Sequence, residues 1–280
     1  MTTMVKISPD EFALIGNYIE KNCGIRLADD KSYLVEGRLA GLLVENRCST
    51  FTEFYYKAVA DTTTKLRDKI IDAMTTNETL WFRDSSPFDI MESVIFPKMA
   101  EEIKNGKRTE IRIWSAACST GQEPYSIAMK VHEFALKQTA LKPERVQIVG
   151  TDISPTVLFL AMAGRYDTVA MSRGMPDQLR TRYFSSSGKI WVLNNEIKKM
   201  VSLKKLNLQE PFSLLGKQDI ILCRNVLIYF SDAFKMDVLS RIARQLNPGG
   251  VLFLGSSEIM PLDMKLFMSH RDAKGTWYQV

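Results

Sequence analysis

The sequence has only two histidines, His132 and His270, and four cysteines, Cys23, Cys48, Cys118 and Cys223, in 280 residues. The cysteines form no C-x-x-C pair, and so few histidines stand near them that the ligand spacings of a zinc site are missing. No metal is expected, and the thiols read as reduced and mostly buried. The same scarcity argues against a histidine-based nucleophilic relay. His132 falls inside a helix and His270 in a strand near the C-terminus, each with a structural role as the simpler reading. No apolar run approaches the roughly 18 residues of a membrane span. The opening MTTMVKISPDEF lacks the apolar core of a signal peptide, so a cytoplasmic location is expected. There is no G-x-G-x-x-G, which leaves a dinucleotide pyrophosphate cradle poorly supported. Internal repeats, low-complexity segments and runs of five or more Lys/Arg are likewise missing.

What is present is a chain with 45% hydrophobic residues and a net charge of +5, enough for one large core or for an ordinary domain plus a small one. The charge is unevenly placed. Residues 1–84 hold 11 basic against 13 acidic side chains, leaving 26 against 19 for residues 85–280. Within 165–205 nine basic residues (Arg165, Arg173, Arg180, Arg182, Lys189, Lys198, Lys199, Lys204, Lys205) face three acidic ones. Such a patch suits nucleic acid or an acidic protein surface, and a solvated face is the plain alternative.

Two patterns divide the chain. Residues 8–84 read as helices, beginning with SPDEFALIGNYIEKNCG, where Ser8 is an N-cap, Pro9 opens the helix, Glu11 completes a capping box and Gly24 stops it. From about residue 86 short apolar runs alternate with helices: EIRIWSA, helix 122–138, RVQIVGTD, helix 154–164, QDIILCR, helix 231–246 and GVLFLGSS. This alternation predicts a mostly parallel α/β sheet, with KLFMSH and GTWYQV as a hairpin-like edge. An all-α domain is thus expected at 1–84 and an α/β domain at 85–280, joined near RDSSPFDI. A small β insertion at about 165–205 carries the basic patch and leads into a further core strand near 200–206.

In an open α/β sheet, ligands bind beyond the carboxyl ends of the strands. The first strand ends at ACSTGQE, with Gly121 and Glu123, and the second at GTDIS, with Asp152. Beyond these come Asn207 and Leu208 in NLQEPF, then Arg224, Asn225 and Tyr229 in CRNVLIYF. Asp152 is placed to accept both ribose hydroxyls of an adenosine, and capping of the helix at Ser154–Pro155 competes with that reading. With only Gly121 in the first turn, a cofactor without phosphates fits better. S-adenosylmethionine is one, and Glu123 could meet its amino group or sulfonium, although an acidic residue in a first helical turn also stabilises the helix alone. MTTNETLWFR presents Asn77, Glu78, Thr79 and Arg83 from a segment pinned by Leu80, Trp81 and Phe82.

TTNETLWFR, WSAACSTGQEPYSIAM, GTDIS, LNL and CRNVLIYF, in this order, resemble the signature set of the bacterial chemotaxis receptor methyltransferases, the CheR family. The likeness spans nearly the whole chain. It implies a Rossmann-like, seven-stranded methyltransferase domain with an inserted β-subdomain, preceded by a small all-α domain. It implies methyl transfer from S-adenosyl-L-methionine to glutamates of the helical cytoplasmic bundle of chemoreceptors, with S-adenosyl-L-homocysteine as product. Carried over by residue, it implies Asn77, Thr79, Arg83, Glu123, Asp152, Asn207, Leu208, Arg224 and Asn225 around the cofactor. Arg83, Arg224 or Tyr229 would orient the substrate carboxylate, since a glutamate already ionised at neutral pH needs positioning rather than a general base. In some relatives the β-subdomain docks a receptor C-terminal pentapeptide. A monomer is expected, without bound nucleic acid.

The departures are local. Leu80 and Trp81 stand where Ser or Thr and Phe are usual, and no histidine follows Arg83. In YLVEGRLAGLLVENR, where receptor-acting members tend to carry several arginines, only Arg38 and Arg47 remain. A CheR-like enzyme of a non-motility array, a catalytically silent cofactor-binding regulator and a nucleic-acid binder are the other readings.

Overall fold

The computed structural model describes residues 5–138 and 140–280. Helix α1 (Pro9–Cys23) starts at the expected capping box. The Ser8 hydroxyl accepts the Glu11 amide at 3.3 Å, and the Glu11 carboxylate accepts the Ser8 amide at 2.9 Å. It stops where Gly24 turns left-handed, φ 78°. Helices α2 (Ser32–Glu45), α3 (Phe51–Ala60) and α4 (Lys65–Met74) follow. Their helical-period stripes, among them Ile19, Leu39, Phe54 and Ile70, close on one another as a separate core.

After α4 the chain runs extended to α5 (Ser86–Ile90), a π-helical turn (Met91–Ile95) and α6 (Phe96–Lys104). The cause of the wide turn is legible. Phe96 donates to the Met91 carbonyl five residues back, and Pro97 has no N–H with which to restore the ordinary spacing. Strand β1 (Ile111–Ala116), α7 (Gln122–Lys137), β2 (Val146–Asp152) and α8 (Pro155–Ala163) come next. The insertion then supplies β3 (Arg165–Asp167), α9 (Thr168–Ser172), α10 (Asp177–Tyr183), β4 (Phe184–Ser187), β5 (Ile190–Leu193) and α11 (Asn195–Lys198). The chain finishes with β6 (Val201–Lys205), β7 (Gln218–Cys223), α12 (Asp232–Gln245), β8 (Leu246–Phe253), β9 (Met268–Asp272) and β10 (Gly275–Gln279).

Seven strands form one sheet in the order β6-β2-β1-β7-β8-β10-β9. β10 runs antiparallel to both its neighbours, and the pairs from β6 to β8 are parallel. Alternation along the strands builds two cores. Ile113, Ile220, Leu222, Val251 and Phe253 face one side, while Trp114, Ile221, Cys223 and Leu252 face the other. Helices cover both faces, as the burial of consecutive residues in β1 (Ile113–Ala116) and β7 (Gln218–Cys223) requires.

The inserted sheet is β3-β5-β4, within 165–193, and β6 is the further strand expected near 200–206, part of the main sheet. The basic patch is therefore split, with Lys204 and Lys205 on the main sheet. The apolar residues also change core between Met74 and Trp81, because Trp81 and Phe88 are buried in the α/β core. Of RDSSPFDI, Pro87, Phe88 and Ile90 are buried, while Asp84 and Ser85 are exposed.

Trp81 holds this crossing segment. It is fully buried, packs edge-on against Tyr166 and Phe184 at 4.8 and 5.4 Å, and its amide donates to the Arg173 carbonyl at 3.0 Å. Trp81→Ala should cost about 3–5 kcal/mol, read as a lowered urea midpoint. A loss under 1 kcal/mol would mean that the insertion does not depend on this side chain.

Candidate active site

The carboxyl ends of β6, β2, β1 and β7, adjacent and parallel, open onto one cleft of about 930 Å³ including its mouth. Ala117, Cys118 and Ser119 line it after β1, Asp152 ends β2, Leu206–Leu208 follow β6, and Arg224–Val226 follow β7. The opposite wall is Cys23 at the end of α1, Ile25 just beyond it, then Thr75–Leu80 and Arg83. Every residue that sequence placed here, Asn77, Thr79, Arg83, Glu123, Asp152, Asn207, Leu208, Arg224, Asn225 and Tyr229, lines this one cleft.

Their polar atoms are committed to different degrees. Asp152 is 6% exposed, and burial raises its carboxyl above the usual aspartate value. It accepts the amides of Ser119 at 2.8 Å and Ser154 at 3.0 Å, one on each oxygen, which leaves lone pairs for two further donors. Capping of α8 falls to the Ser154 hydroxyl, which accepts the Val157 amide at 3.2 Å. Glu123 accepts the Ser115 hydroxyl at 2.7 Å and Arg224 Nη1 at 2.7 Å. Asn77 contributes its carbonyl to the Ser119 hydroxyl at 2.9 Å. Asn207 turns its amide to the Asn22 carbonyl at 2.8 Å and its oxygen to the Gln209 amide at 3.0 Å, so it ties the wall to α1.

The two arginines differ sharply. Arg224 is buried, its side chain 1% exposed, with Nη1 on Glu123 and Nη2 on Asp84 at 2.9 Å and on the Arg83 carbonyl at 2.6 Å. Its Nε is buried without a partner among the described residues. Arg83 is half-buried and donates from Nη1 to the Glu78 carbonyl at 3.2 Å. Among the described residues it is the lining cation with no carboxylate beside it.

Backbone strain concentrates at the same place. Phe82, Asp84, Ala117, Ser119 and Asn225 all take positive φ, between 49 and 58°, a conformation that costs non-glycine residues on the order of 1–3 kcal/mol each and gathers at functional sites. The small turn after β1 does bring backbone to the cleft, but through Ala117–Ser119. Gly121 has a packing role instead: at φ 90° an added Cβ would stand 2.9 Å from Ala161 Cβ and 3.0 Å from the Tyr125 ring.

Sequence reading missed two acidic residues. Asp84 pairs with Arg224, and Glu258 accepts backbone amides from the loop after β7. Glu258 stands in GSSE just beyond a strand end, a position that could have marked it. Burial pushes the Cys118 and Cys223 thiols well above their usual range. His132 joins α7 to the insertion through Tyr183 at 2.9 Å and Glu196 at 3.1 Å.

S-adenosylmethionine fits this chemistry. Buried carboxylate oxygens on β2 suit ribose hydroxyls, a half-buried carboxylate at the start of α7 suits its positive charge, and Ile153, Leu206, Leu208, Val226 and Phe230 provide apolar walls. Fold and cleft together define a Rossmann-like, S-adenosylmethionine-dependent methyltransferase. The family model "CheR methyltransferase, SAM binding domain" matches residues 77–276, and "CheR methyltransferase, all-alpha domain" matches 10–75. The chain belongs to the CheR methyltransferase family. It is 43% identical to chemotaxis protein methyltransferase 1 of Pseudomonas aeruginosa, over 89% of this chain and 90% of that one. It is 44% identical to chemotaxis protein methyltransferase 1 of Vibrio cholerae, over 91% of each. Against the chemotaxis protein methyltransferase of Borreliella burgdorferi the identity is 36%, over 91% of this chain and 89% of that one.

The raised carboxyl of Asp152 makes a signed prediction. Hydroxyl donors favour its ionised form, so cofactor affinity should be full at neutral pH and fall as pH drops through the raised pKa, beginning above the range of an ordinary aspartate. Calorimetric titration of S-adenosylmethionine between pH 8 and pH 4.5 checks this. Asp152→Asn should weaken binding at neutral pH by about tenfold or more, the loss of a charge-assisted hydrogen bond, and flatten the profile. A wild-type affinity constant throughout that window would remove Asp152 from the cofactor site.

Proposed function

We propose that this enzyme methylates glutamate side chains on the cytoplasmic helices of chemoreceptors, as a protein-glutamate O-methyltransferase of chemotactic adaptation acting in the cytoplasm. Arg83 carries the reading. It is a cation in a cofactor cleft with donors left over, as a carboxylate substrate requires. The kinship to enzymes named for chemotaxis supports the same conclusion. No helix among the described residues is long and apolar enough to cross a membrane.

In this reading Asn77, Thr79, Glu123, Asp152, Asn207, Leu208 and Asn225 hold or enclose S-adenosylmethionine. When bound, the cofactor supplies an electrophilic methyl group. Arg83 and Tyr229 orient the acceptor carboxylate, which is ionised at neutral pH and needs no base. Arg224 acts as a positioning residue, because both of its terminal nitrogens are already engaged by Glu123, Asp84 and the Arg83 carbonyl. We place the division between an all-α and a methyltransferase domain at residues 75–80, where the apolar cores change, rather than at 84.

Partner recognition is apportioned by the same logic. Arg38 on α2 donates to the Met74 and Thr75 carbonyls at 2.7 and 3.1 Å, so it closes the end of α4 and Arg47 is the basic residue left for an acidic receptor helix. Three of the insertion's cations, Arg173, Arg180 and Arg182, face Glu78, Asp177 and Glu133, and Lys205 on the main sheet faces Asp68; this pairing reduces the charge left for a nucleic acid. Strand β4, at the rim of the inserted sheet, is the surface on which to test a receptor C-terminal pentapeptide.

Labelled methyl from S-adenosylmethionine, incubated with receptor cytoplasmic fragments from the same cell, should appear as base-labile label on glutamate and vanish with Asp152→Ala. Tight cofactor binding without transfer would favour a silent regulator or another substrate. Arg83→Ala should lower kcat on the order of a hundredfold, the loss typical when one preorganised donor is removed. Unchanged turnover would exclude Arg83 from the reaction.

A further inference from the structure

We propose that Glu258 is a positioning residue for this reaction, acting through the backbone of the loop that carries Tyr229; the kinetic part of the proposal rests on the function proposed above. Glu258 lies beyond β8, in a different stretch from every residue assigned to the cleft, and does not line it. Its carboxylate nonetheless accepts four backbone amides. Oε2 takes those of Asn225 at 2.7 Å and Gly255 at 2.8 Å, and Oε1 those of Val226 at 3.0 Å and Ile228 at 3.3 Å. Among the described residues no lysine or arginine pairs with it. The amide dipoles alone balance the charge, as in an anion-binding nest, with the anion here supplied by the chain.

Three of those amides belong to the turn after β7, which is otherwise costly. Asn225 sits at φ 58°, and the short helical turn Leu227–Tyr229 has no side-chain cap. Gathering the amides of Asn225, Val226 and Ile228 on one carboxylate selects the conformation in which Asn225, Val226 and Tyr229 form the cleft wall. The far end of the turn is held by α1's successor segment, where the Tyr229 carbonyl accepts the Arg26 amide at 2.8 Å and Phe230 bridges to Ile25. Glu258 therefore fixes the near end. Gly255 points to the same device: an added Cβ would stand 2.8 Å from Glu258 Oε2, 2.7 Å from Asn225 Nδ2 and 2.9 Å from the Asn225 amide. The clamp leaves no room for a side chain there.

Glu258→Gln is the decisive variant, since it keeps the length and replaces one acceptor oxygen by a donor facing amide N–H groups. Hydrogen exchange at Asn225, Val226 and Ile228 should speed up at least tenfold, while the amides of β1 and β2 stay unchanged. In methyl transfer kcat should fall tenfold or more, while S-adenosylmethionine affinity falls by less than kcat, because Asp152 at the end of β2 and Glu123 at the start of α7 lie outside the clamped loop and only Asn225 and Val226 of the cofactor walls lie in it. The loss should be largely non-additive with Tyr229→Phe, as expected for a residue acting through another. Gly255→Ala should reproduce the same pattern and guards against misreading a folding defect of the glutamine variant. Unchanged exchange at the three amides, or a kcat loss that simply adds to that of Tyr229→Phe, overturns the proposal. Faster exchange in a protein whose wild type transfers no methyl to glutamate would sink the functional reading and leave the clamp standing.

Discussion

The site depends on one buried cation. Arg224 enters the protein at the end of β7 and meets Glu123 from the start of α7, Asp84 from the crossing segment and the Arg83 carbonyl. Desolvating a guanidinium is expensive and pairing only offsets it, so such a group is weak support for stability in itself. Removing one partner, however, costs about 3–5 kcal/mol by stranding the others. What the network supplies is registry. The strained residues Phe82 and Asp84 flank Arg83, and their backbone is held by Arg224 on one side and by the Ser126 hydroxyl, 3.2 Å from the Phe82 amide, on the other. Arg83 reaches the cleft because its neighbours are not free to relax.

The cleft is completed by the helical unit rather than by the sheet alone. Asp72 of α4 accepts the hydroxyls of Ser154 and Thr156 at the start of α8, directly beyond Asp152. Lys205 at the end of β6 pairs with Asp68 at 2.6 Å. Asn207 and Gln209 reach the carbonyls that end α1, at 2.8 and 3.1 Å. These polar contacts ring the cleft, with Cys23 and Ile25 as its apolar roof. Both units are therefore required for an enclosed site.

The insertion illustrates how composition can mislead. Nine basic residues in a short stretch suggest a polyanion, but the structure disperses them. Arg173 holds the crossing segment through Glu78, Arg182 holds α7 through Glu133, and Arg180 lies 5.0 Å from the Trp191 ring. Lys198 donates to the Ala163 carbonyl at 3.2 Å. Arg173, Arg182 and Lys198 thus join the insertion to the body of the enzyme, through partners 95, 49 and 35 residues away in sequence.

Much of this protein was determined locally and could be read locally. The capping box at Ser8 and Glu11, the alternation of strand and helix, the pocket residues at strand ends and the order of the motifs follow from periodicities and short-range chemistry, which neighbouring residues carry within themselves. Tertiary structure alone decided the rest. Whether Gly121 faces a ligand or a helix, whether Arg83 or Arg224 keeps free donors, and which acidic residues matter at Asp84 and Glu258 depend on contacts between segments up to 172 residues apart. A side chain's type gives its donors and acceptors, but only the folded chain determines which of them are already taken.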